Sequence, residues 1–358
     1  MVSKTEIMQV LSGINDPEIN KPLTDLDMVR TVEVDGGDVR IEIALTVPGC
    51  PLKNKISSDI MQLVSELDGV QHVDVKFGVM TEEQRKNLAT RIYGKDYKKE
   101  AAEAGKEGSV AGDFAKRVIG VASGKGGVGK STVTANLAAA LSHLGFKVGI
   151  LDADVYGFSI PRIMGVDGQP TVIDEHIVPI RKDGIQVMSI GFFVDENTPV
   201  IWRGPLLHKT MNQFISDVLW DQLDFLLIDL PPGTGDITIS IAQILPKAEI
   251  LVVTTPQPVA SHTAGRVARM AEQTKLKVLG VIENMSYFET NGHREYIFGK
   301  DGGKMLAKFL EVPFLGEIPI RTEIREAADN GHTFELLKKD EISQYYLSIA
   351  RQIVHPGR

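Results

Sequence analysis

A chain of 358 residues exceeds what one hydrophobic core usually organises, so two domains are expected. With 43% hydrophobic and 24% charged residues it falls among ordinary globular proteins, which excludes wholesale disorder and a fibrous repeat. A formal net charge of −8 argues against broad attraction to polyanions, so neither nucleic acid nor membrane is expected as a partner.

The opening MVSKTEIMQV has no long apolar segment after its lysine, and no later run approaches the roughly 18 apolar residues of a membrane span. A cytoplasmic protein is expected. A helix is predicted near Lys4 to Leu11, followed by the alternating strand Val39-Arg40-Ile41-Glu42-Ile43-Ala44-Leu45, which Val47-Pro48-Gly49-Cys50-Pro51 breaks. Cys50 is the only cysteine, so no internal disulfide can form and one protomer lacks the several thiolates that an iron-sulfur cluster usually takes. A second helix is predicted from Lys53 to Leu67, with Ile56, Ile60, Leu63, Val64 and Leu67 on one face, and Val73-Asp74-Val75 reads as a further strand. These elements make residues 1–95 a small α/β domain. The stretch KDYKKEAAEAGKEGSVAGD is charged, rich in Ala, Gly and Ser, and poor in large apolar residues, so 96–113 is read as a linker.

From 114 to 358, apolar strand candidates alternate with helical stretches: Val118 to Ala122, Val148 to Leu151, Ile185 to Ile190, Phe225 to Ile228, Ile250 to Val253 and Val278 to Ile282. Such alternation predicts βαβ units, and continuously apolar strands are expected where helices cover both faces of a sheet. The fold class is therefore α/β: a doubly wound, mostly parallel sheet preceded by the small α/β domain. The C-terminal stretch Glu341 to Val354 reads as an amphipathic helix packed on that sheet rather than as a membrane anchor.

Gly124-Lys125-Gly126-Gly127-Val128-Gly129-Lys130-Ser131-Thr132 satisfies the phosphate-loop pattern G-x-x-x-x-G-K-[ST], directly after a strand and before a helix from Ser131 to Leu144. Glycines let successive backbone N–H groups turn inward on phosphate oxygens, and the helix adds its positive dipole end. Lys130 is expected on the β- and γ-phosphates and the Ser131 hydroxyl on Mg²⁺. Leu151-Asp152-Ala153-Asp154 ends the second strand. Asp154 is a candidate to orient or activate the attacking water, and Asp152 to hold Lys130 or metal-bound water. Phe225 to Asp229 is an apolar strand ending in one acid, with Asp229 expected to hold the metal's water shell; Pro231-Pro232-Gly233-Thr234-Gly235-Asp236 follows as a candidate switch segment. Asn284, at the end of another strand, offers an amide to a base edge. The Asp that would read guanine is missing after it, which favours ATP over GTP.

Lys125 within KGGVGKST, together with LDADVYGFSIP, WRGPLLHKT, DLPPGTGD, NMSYF and IREAADNG, closely resembles the Mrp/ApbC family of iron-sulfur cluster carrier ATPases over nearly the whole chain. The first domain, with VPGCPLK, resembles the small cluster-assembly domain often fused to them. The resemblance implies a homodimer enclosing two ATP molecules, with Lys125 of one subunit reaching the phosphates of the other, and transfer of clusters to apoprotein clients. There are two departures. Many members carry C-x-x-C after the NMS segment, whereas Tyr287 to His293 contains no cysteine, and Phe158 stands where Pro is common. Cys50 remains as a candidate cluster or persulfide ligand on a turn, while His72 and His293 read as surface residues. A partition-type ATPase cycling on membrane or nucleoid, and a nucleotide-switched assembly factor that never holds a cluster, are the alternatives.

Overall fold

The computed structural model describes residues 2–16, 21–45, 53–81, 83–84, 87–88, 114–155, 157–173, 176–193, 204–233, 236–257, 270, 274–290 and 292–355. Cys50 and the expected linker 96–113 lie outside the described residues. By contacts the chain divides into two units, Met1–Glu103 with Pro170–Val178, and Ala104–Gln169 with Pro179–Arg358.

In the first unit, helix α1 (Lys4–Leu11) starts at Ser3, whose hydroxyl accepts from the Glu6 N–H while the Glu6 carboxylate accepts from the Ser3 N–H at 2.8 Å. This reciprocal cap satisfies donors that a helix start otherwise leaves open. Strands β1 (Val29–Asp35), β2 (Asp38–Leu45) and β3 (His72–Val79) form a sheet in that order, with β1 antiparallel and β3 parallel to β2. Helix α2 (Lys53–Ser65) supplies the crossover between the parallel pair. It buries Ile56, Ile60 and Val64, but Leu63 is 39% exposed, contrary to the predicted face. The buried stripe follows an i, i+4 spacing, and Leu63 stands about 100° from Val64 around the axis. The short strands β6 (Thr171–Ile173) and β7 (His176–Val178) pair antiparallel.

The second unit is built on a sheet of order β13-β12-β11-β4-β10-β5-β9-β8, with β14 also paired to β12. Its strands are β4 (Ala115–Ala122), β5 (Val148–Asp152), β8 (Ile180–Lys182), β9 (Ile185–Ser189), β10 (Leu223–Asp229), β11 (Glu249–Thr254), β12 (Lys277–Thr290), β13 (His293–Glu295) and β14 (Phe314–Ile320). All pairings are parallel except β8 with β9 and β13 with β12. Each of the six predicted strands is present, and the doubly wound, mostly parallel α/β architecture stands. Among the described residues its α-helices are α3 (Lys130–His143), α4 (Ile160–Met164), α5 (Gly204–Ser216), α6 (Asp236–Ile244), α7 (Gly302–Phe309), α8 (Thr322–Asn330), α9 (Thr333–Leu336) and α10 (Asp340–Val354).

Helix α3 is buried nearly all round, from Val133 to Leu141, because α10 covers it on the side away from the sheet. It ends in a Schellman pattern, with Phe146 N–H on the Leu141 carbonyl and Gly145 N–H on that of Ser142. Helix α10 buries Ile342, Tyr346, Ile349, Ala350 and Ile353 against α3 and β14, so its apolar face belongs to the core. Strand β4 lies between β10 and β11, neither of them its neighbour in sequence. The chain leaves it toward β5 and β9 on one side and returns to β11, β12 and β14 on the other. The carboxyl end of β4 is therefore the topological switch point, where open α/β sheets hold ligands.

Candidate functional site

The register of the parallel strands brings the acids together. Asp229 at the end of β10 is level with Val121 of β4 and Asp152 of β5, and Asp152 is level with Ser189 of β9. From β4 the chain passes through the glycine-rich loop into α3, which begins at Lys130 with Gly129 as its cap residue and no side-chain cap. Gly129 has φ of 78°, in the left-handed region, and a Cβ there would stand 2.4 Å from Asn284 Nδ2. Only glycine meets both conditions.

Lys130 and Asp229 meet at the base of this loop. The Lys130 ammonium donates to Asp229 Oδ2 at 2.8 Å, with the two side chains 6% and 0% exposed. The Ser131 hydroxyl donates to the same oxygen at 2.5 Å, and the Thr134 hydroxyl donates to Oδ1 at 2.8 Å. Asp154 Oδ2 lies 3.7 Å from the Lys130 ammonium, so that cation has a carboxylate on each side. Asp152 does not reach Lys130 by a hydrogen bond; its oxygens accept from the Asp154 and Ile160 N–H groups, both at 3.2 Å, and from the Ser189 hydroxyl at 3.1 Å. Burial, and then the neighbouring Asp229 charge, push its carboxyl up to about 8. The raised carboxyl of Asp152 favours its neutral form and so eases the repulsion between acids packed at the strand ends.

The remaining loop residues take distinct places. Gly126 and Gly127 are exposed and Val128 is buried. Asn284 lies in the middle of β12, which runs on to Thr290 rather than ending there, and its Nδ2 donates to the Val128 carbonyl at 2.8 Å, joining the strand to the loop. Thr132 sits half-buried in the first turn of α3, with its carbonyl accepting from Asn136 Nδ2 at 2.8 Å. Gly124 is buried, and the Lys125 ammonium donates to Gln257 Oε1. Of the predicted residues, Lys130, Ser131, Asp154 and Asp229 converge, while Lys125 reaches out of the loop to Gln257 beyond β11 and Asn284 reaches the loop from β12.

Thr134 and Gln257 were not foreseen. Thr134 follows Ser131 by three positions and Lys130 by four, a spacing that places it on their helical face and was readable in the sequence. Gln257 gives no local signal, since it is brought to Lys125 only by the pairing of β11 with β4. Tyr287 to Thr290 are the last residues of β12, where Phe288, Glu289 and Thr290 pair with β13; the Arg294 guanidinium lies 4.1 Å from the centre of the Tyr287 ring and Arg321 pairs with Glu289 at 3.1 Å. Among the described residues, no group of three or more His, Cys, Asp or Glu side chains is arranged to hold a metal ion. Phe158 packs its ring so closely on Gly191 that no Cβ would fit there.

Comparison with known proteins agrees with this geometry. A family model described as NUBPL iron-transfer P-loop NTPase matches residues 115–354, and one described as iron-sulfur cluster assembly protein matches 4–77. The iron-sulfur cluster carrier protein of Mycobacterium leprae (strain TN) is 44% identical over 336 residues, covering 92% of this chain and 86% of the relative. A nucleotide-binding protein from Archaeoglobus fulgidus, solved in complex with ADP, shares 42% identity with a TM-score of 0.56, over 62% of this chain and 89% of that one. The cell division ATPase MinD of Pyrococcus furiosus shares 26% identity with a TM-score of 0.50, over 67% of this chain and 98% of its own. With most of its length matched and its phosphate loop formed at the switch point of the sheet, the chain belongs to the family of NUBPL iron-transfer P-loop NTPases.

Proposed function

We propose that the chain is a Mg²⁺-dependent ATPase that works as a homodimer and delivers iron-sulfur clusters, its cargo, to apoproteins in the cytoplasm. The observation that carries the ATPase reading is the convergence of the Lys130 ammonium and the Ser131 hydroxyl on Asp229 Oδ2, at 2.8 and 2.5 Å, where α3 begins. A triphosphate offers Lys130 more negative charge than one carboxylate does, so the ammonium is poised to transfer from Asp229 to phosphate oxygens. The donors fit the metal: a hydroxyl and a carboxylate are hard oxygen ligands of the kind Mg²⁺ takes, with water completing its shell. When bound, the ion neutralises charge on the β- and γ-phosphate oxygens. We assign Ser131 and Asp229 to that shell, with Asp152 behind them, Asp154 to orienting the attacking water, the amides of 124–132 to the phosphates, and Asn284 to the base edge. Lys125 acts in trans on the partner's nucleotide, which couples turnover to assembly.

The cargo reading rests on relatives named as cluster carriers and on the match of residues 4–77 to a cluster-assembly family. We take residues 1–95 as the cargo domain, joined by the linker 96–113 to the ATPase at 114–358. Tyr287 to His293 supplies no thiolate, so Cys50 is the candidate ligand, completed by the partner subunit, a small thiol or the client. Anaerobic reconstitution with iron and sulfide tests this. The cargo reading fails if the protein takes up no cluster and Cys50→Ala leaves client activation unchanged. Lys125→Ala should spare nucleotide binding more than hydrolysis, and equal losses would argue against action in trans.

No observation favours the partition reading. The amphipathic C-terminal helix is occupied by packing on α3 and β14, and among the described residues no helix is long and apolar enough to cross a membrane.

A further inference from the structure

Lys125 has a partner that the family motif does not include. Its ammonium donates to Gln257 Oε1, and its own carbonyl accepts from the Ser123 hydroxyl at 3.0 Å. The Ser123 carbonyl in turn accepts from the Gly233 N–H at 2.8 Å, in the loop that follows β10. Gln257 lies just beyond β11, the parallel neighbour of β4. The start of the phosphate loop is thus tied to the loops leaving both flanking strands. Gln257 Oε1 also lies 3.4 Å from the Thr255 hydroxyl, so the amide is turned with its oxygen toward its donors.

The Gln257 segment is backed from behind. Gly302, at the start of α7, stands so close to Pro256 that a Cβ there would be 2.5 Å from the Pro256 carbonyl oxygen. The next N–H, that of Gly303, donates to the buried Glu283 carboxylate at 2.6 Å. Glu283 precedes Asn284, whose amide holds the Val128 carbonyl. One rigid corner, made by β12 and the start of α7, therefore supports both side chains that grip the loop: Gln257 at Lys125 and Asn284 at Val128.

We propose that Gln257 is a positioning residue for Lys125, holding the ammonium on its own subunit until a partner's triphosphate draws it across. The residue type suits that task. An amide oxygen holds a cation by its dipole alone, whereas a carboxylate in the same place would form a charge-assisted bond roughly twice as strong and compete with phosphate. A hydrocarbon side chain would leave the lysine to wander among its rotamers. This inference rests on the reading that Lys125 acts on nucleotide.

Steady-state ATP hydrolysis and fluorescent-nucleotide affinity of full-length Gln257→Glu and Gln257→Ala test it. Gln257→Glu changes no volume and should lower kcat at least tenfold, with KM and nucleotide affinity within twofold of the parent. Gln257→Ala should turn over at or above the parent rate. In a Lys125→Ala background, residual single-turnover rates should no longer depend on residue 257. The inference is overturned if both variants match the parent, if both fall equally, or if Gln257→Glu still slows turnover without Lys125. A normal rate in Lys125→Ala alone would instead sink the reading of the lysine, and a parent protein without hydrolysis would sink the ATPase reading; either result takes this inference with it.

Discussion

Lys130→Ala separates two roles served by one side chain, because the lysine both awaits a phosphate and neutralises a buried carboxylate. Asp229 is 0% exposed, with Lys130 at 2.8 Å and the Ser131 and Thr134 hydroxyls at 2.5 and 2.8 Å. Removing one partner of a buried pair typically costs about 3–5 kcal/mol. Two hydroxyl donors remain and stabilise the carboxylate, so we expect a cost at or just below the lower end of that range, about 2–3 kcal/mol, in protein without added nucleotide. Asp229→Asn should cost less, since Lys130 keeps Asp154 at 3.7 Å. The double variant should be more stable than the sum of single losses by about 1–2 kcal/mol, the signature of a direct pair. Trp220 lies in the second unit, so its fluorescence in urea follows the unit that houses the pair. That choice matters because a chain of two units need not unfold in one step. A Lys130→Ala transition within about 0.5 kcal/mol of the parent, or strictly additive losses, would refute the pair. If the pair holds, loss of nucleotide binding in this variant must be measured at a temperature where it remains folded.

Gly129→Ala forces an L residue to φ of 78° and sets a Cβ 2.4 Å from Asn284 Nδ2, which breaks the amide's bond to Val128. At about 1–2 kcal/mol for the left-handed backbone and about 1 kcal/mol for the bond, nucleotide affinity by calorimetry should fall at least tenfold. Gly127→Ala, with open space at its Cβ, should lose less, and equal affinities would contradict the packing. Asp152 takes up a proton on folding, because burial and Asp229 raise its carboxyl to about 8. Its contribution to stability is therefore full below the ordinary carboxylate range and is lost as pH rises through about 8. Melting temperatures of the parent should decline relative to Asp152→Asn up to that pH and run parallel above it; a constant difference from pH 5 to 9 would exclude the shift. Arg117 donates twice to Glu249, at 2.8 and 2.5 Å, and once to the Ile353 carbonyl at 2.5 Å, tying β4 to β11 and to α10. Arg117→Ala should cost about 2 kcal/mol and expose the amides of 349–354 to hydrogen exchange before those of β4; Arg117→Lys should not restore them, lacking the fork. Unchanged protection of α10 would show that this tie contributes nothing.

What could be read from the sequence is what a few neighbouring residues settle among themselves. The run Gly124 to Thr132 dictates an anion-binding turn whatever surrounds it, because glycines and the helix start that follows fix the backbone locally. The six apolar runs that became parallel strands were legible for a related reason, since strands covered on both faces have no polar side to confuse the pattern. Strand β1 escaped notice because only Val32 of its seven residues is buried, and β14 because Gly316 and Pro319 argue against a strand that the edge of a sheet tolerates. Leu63 was misplaced because helical spacing gives the width of an apolar face only once the partner is known.

The sequence by itself determined that a phosphate loop, two strand-end acidic motifs and a small companion domain exist. Only the tertiary structure decided which groups meet. Sheet order placed Asp229 between Val121 and Asp152, raised the Asp152 carboxyl by burial beside that charge, and carried Gln257 to Lys125 across 132 positions. The physical reason is that local geometry is fixed by the dihedral preferences of adjacent residues, whereas strand order follows from how helices and sheet bury their apolar faces together, and no short stretch of sequence carries that.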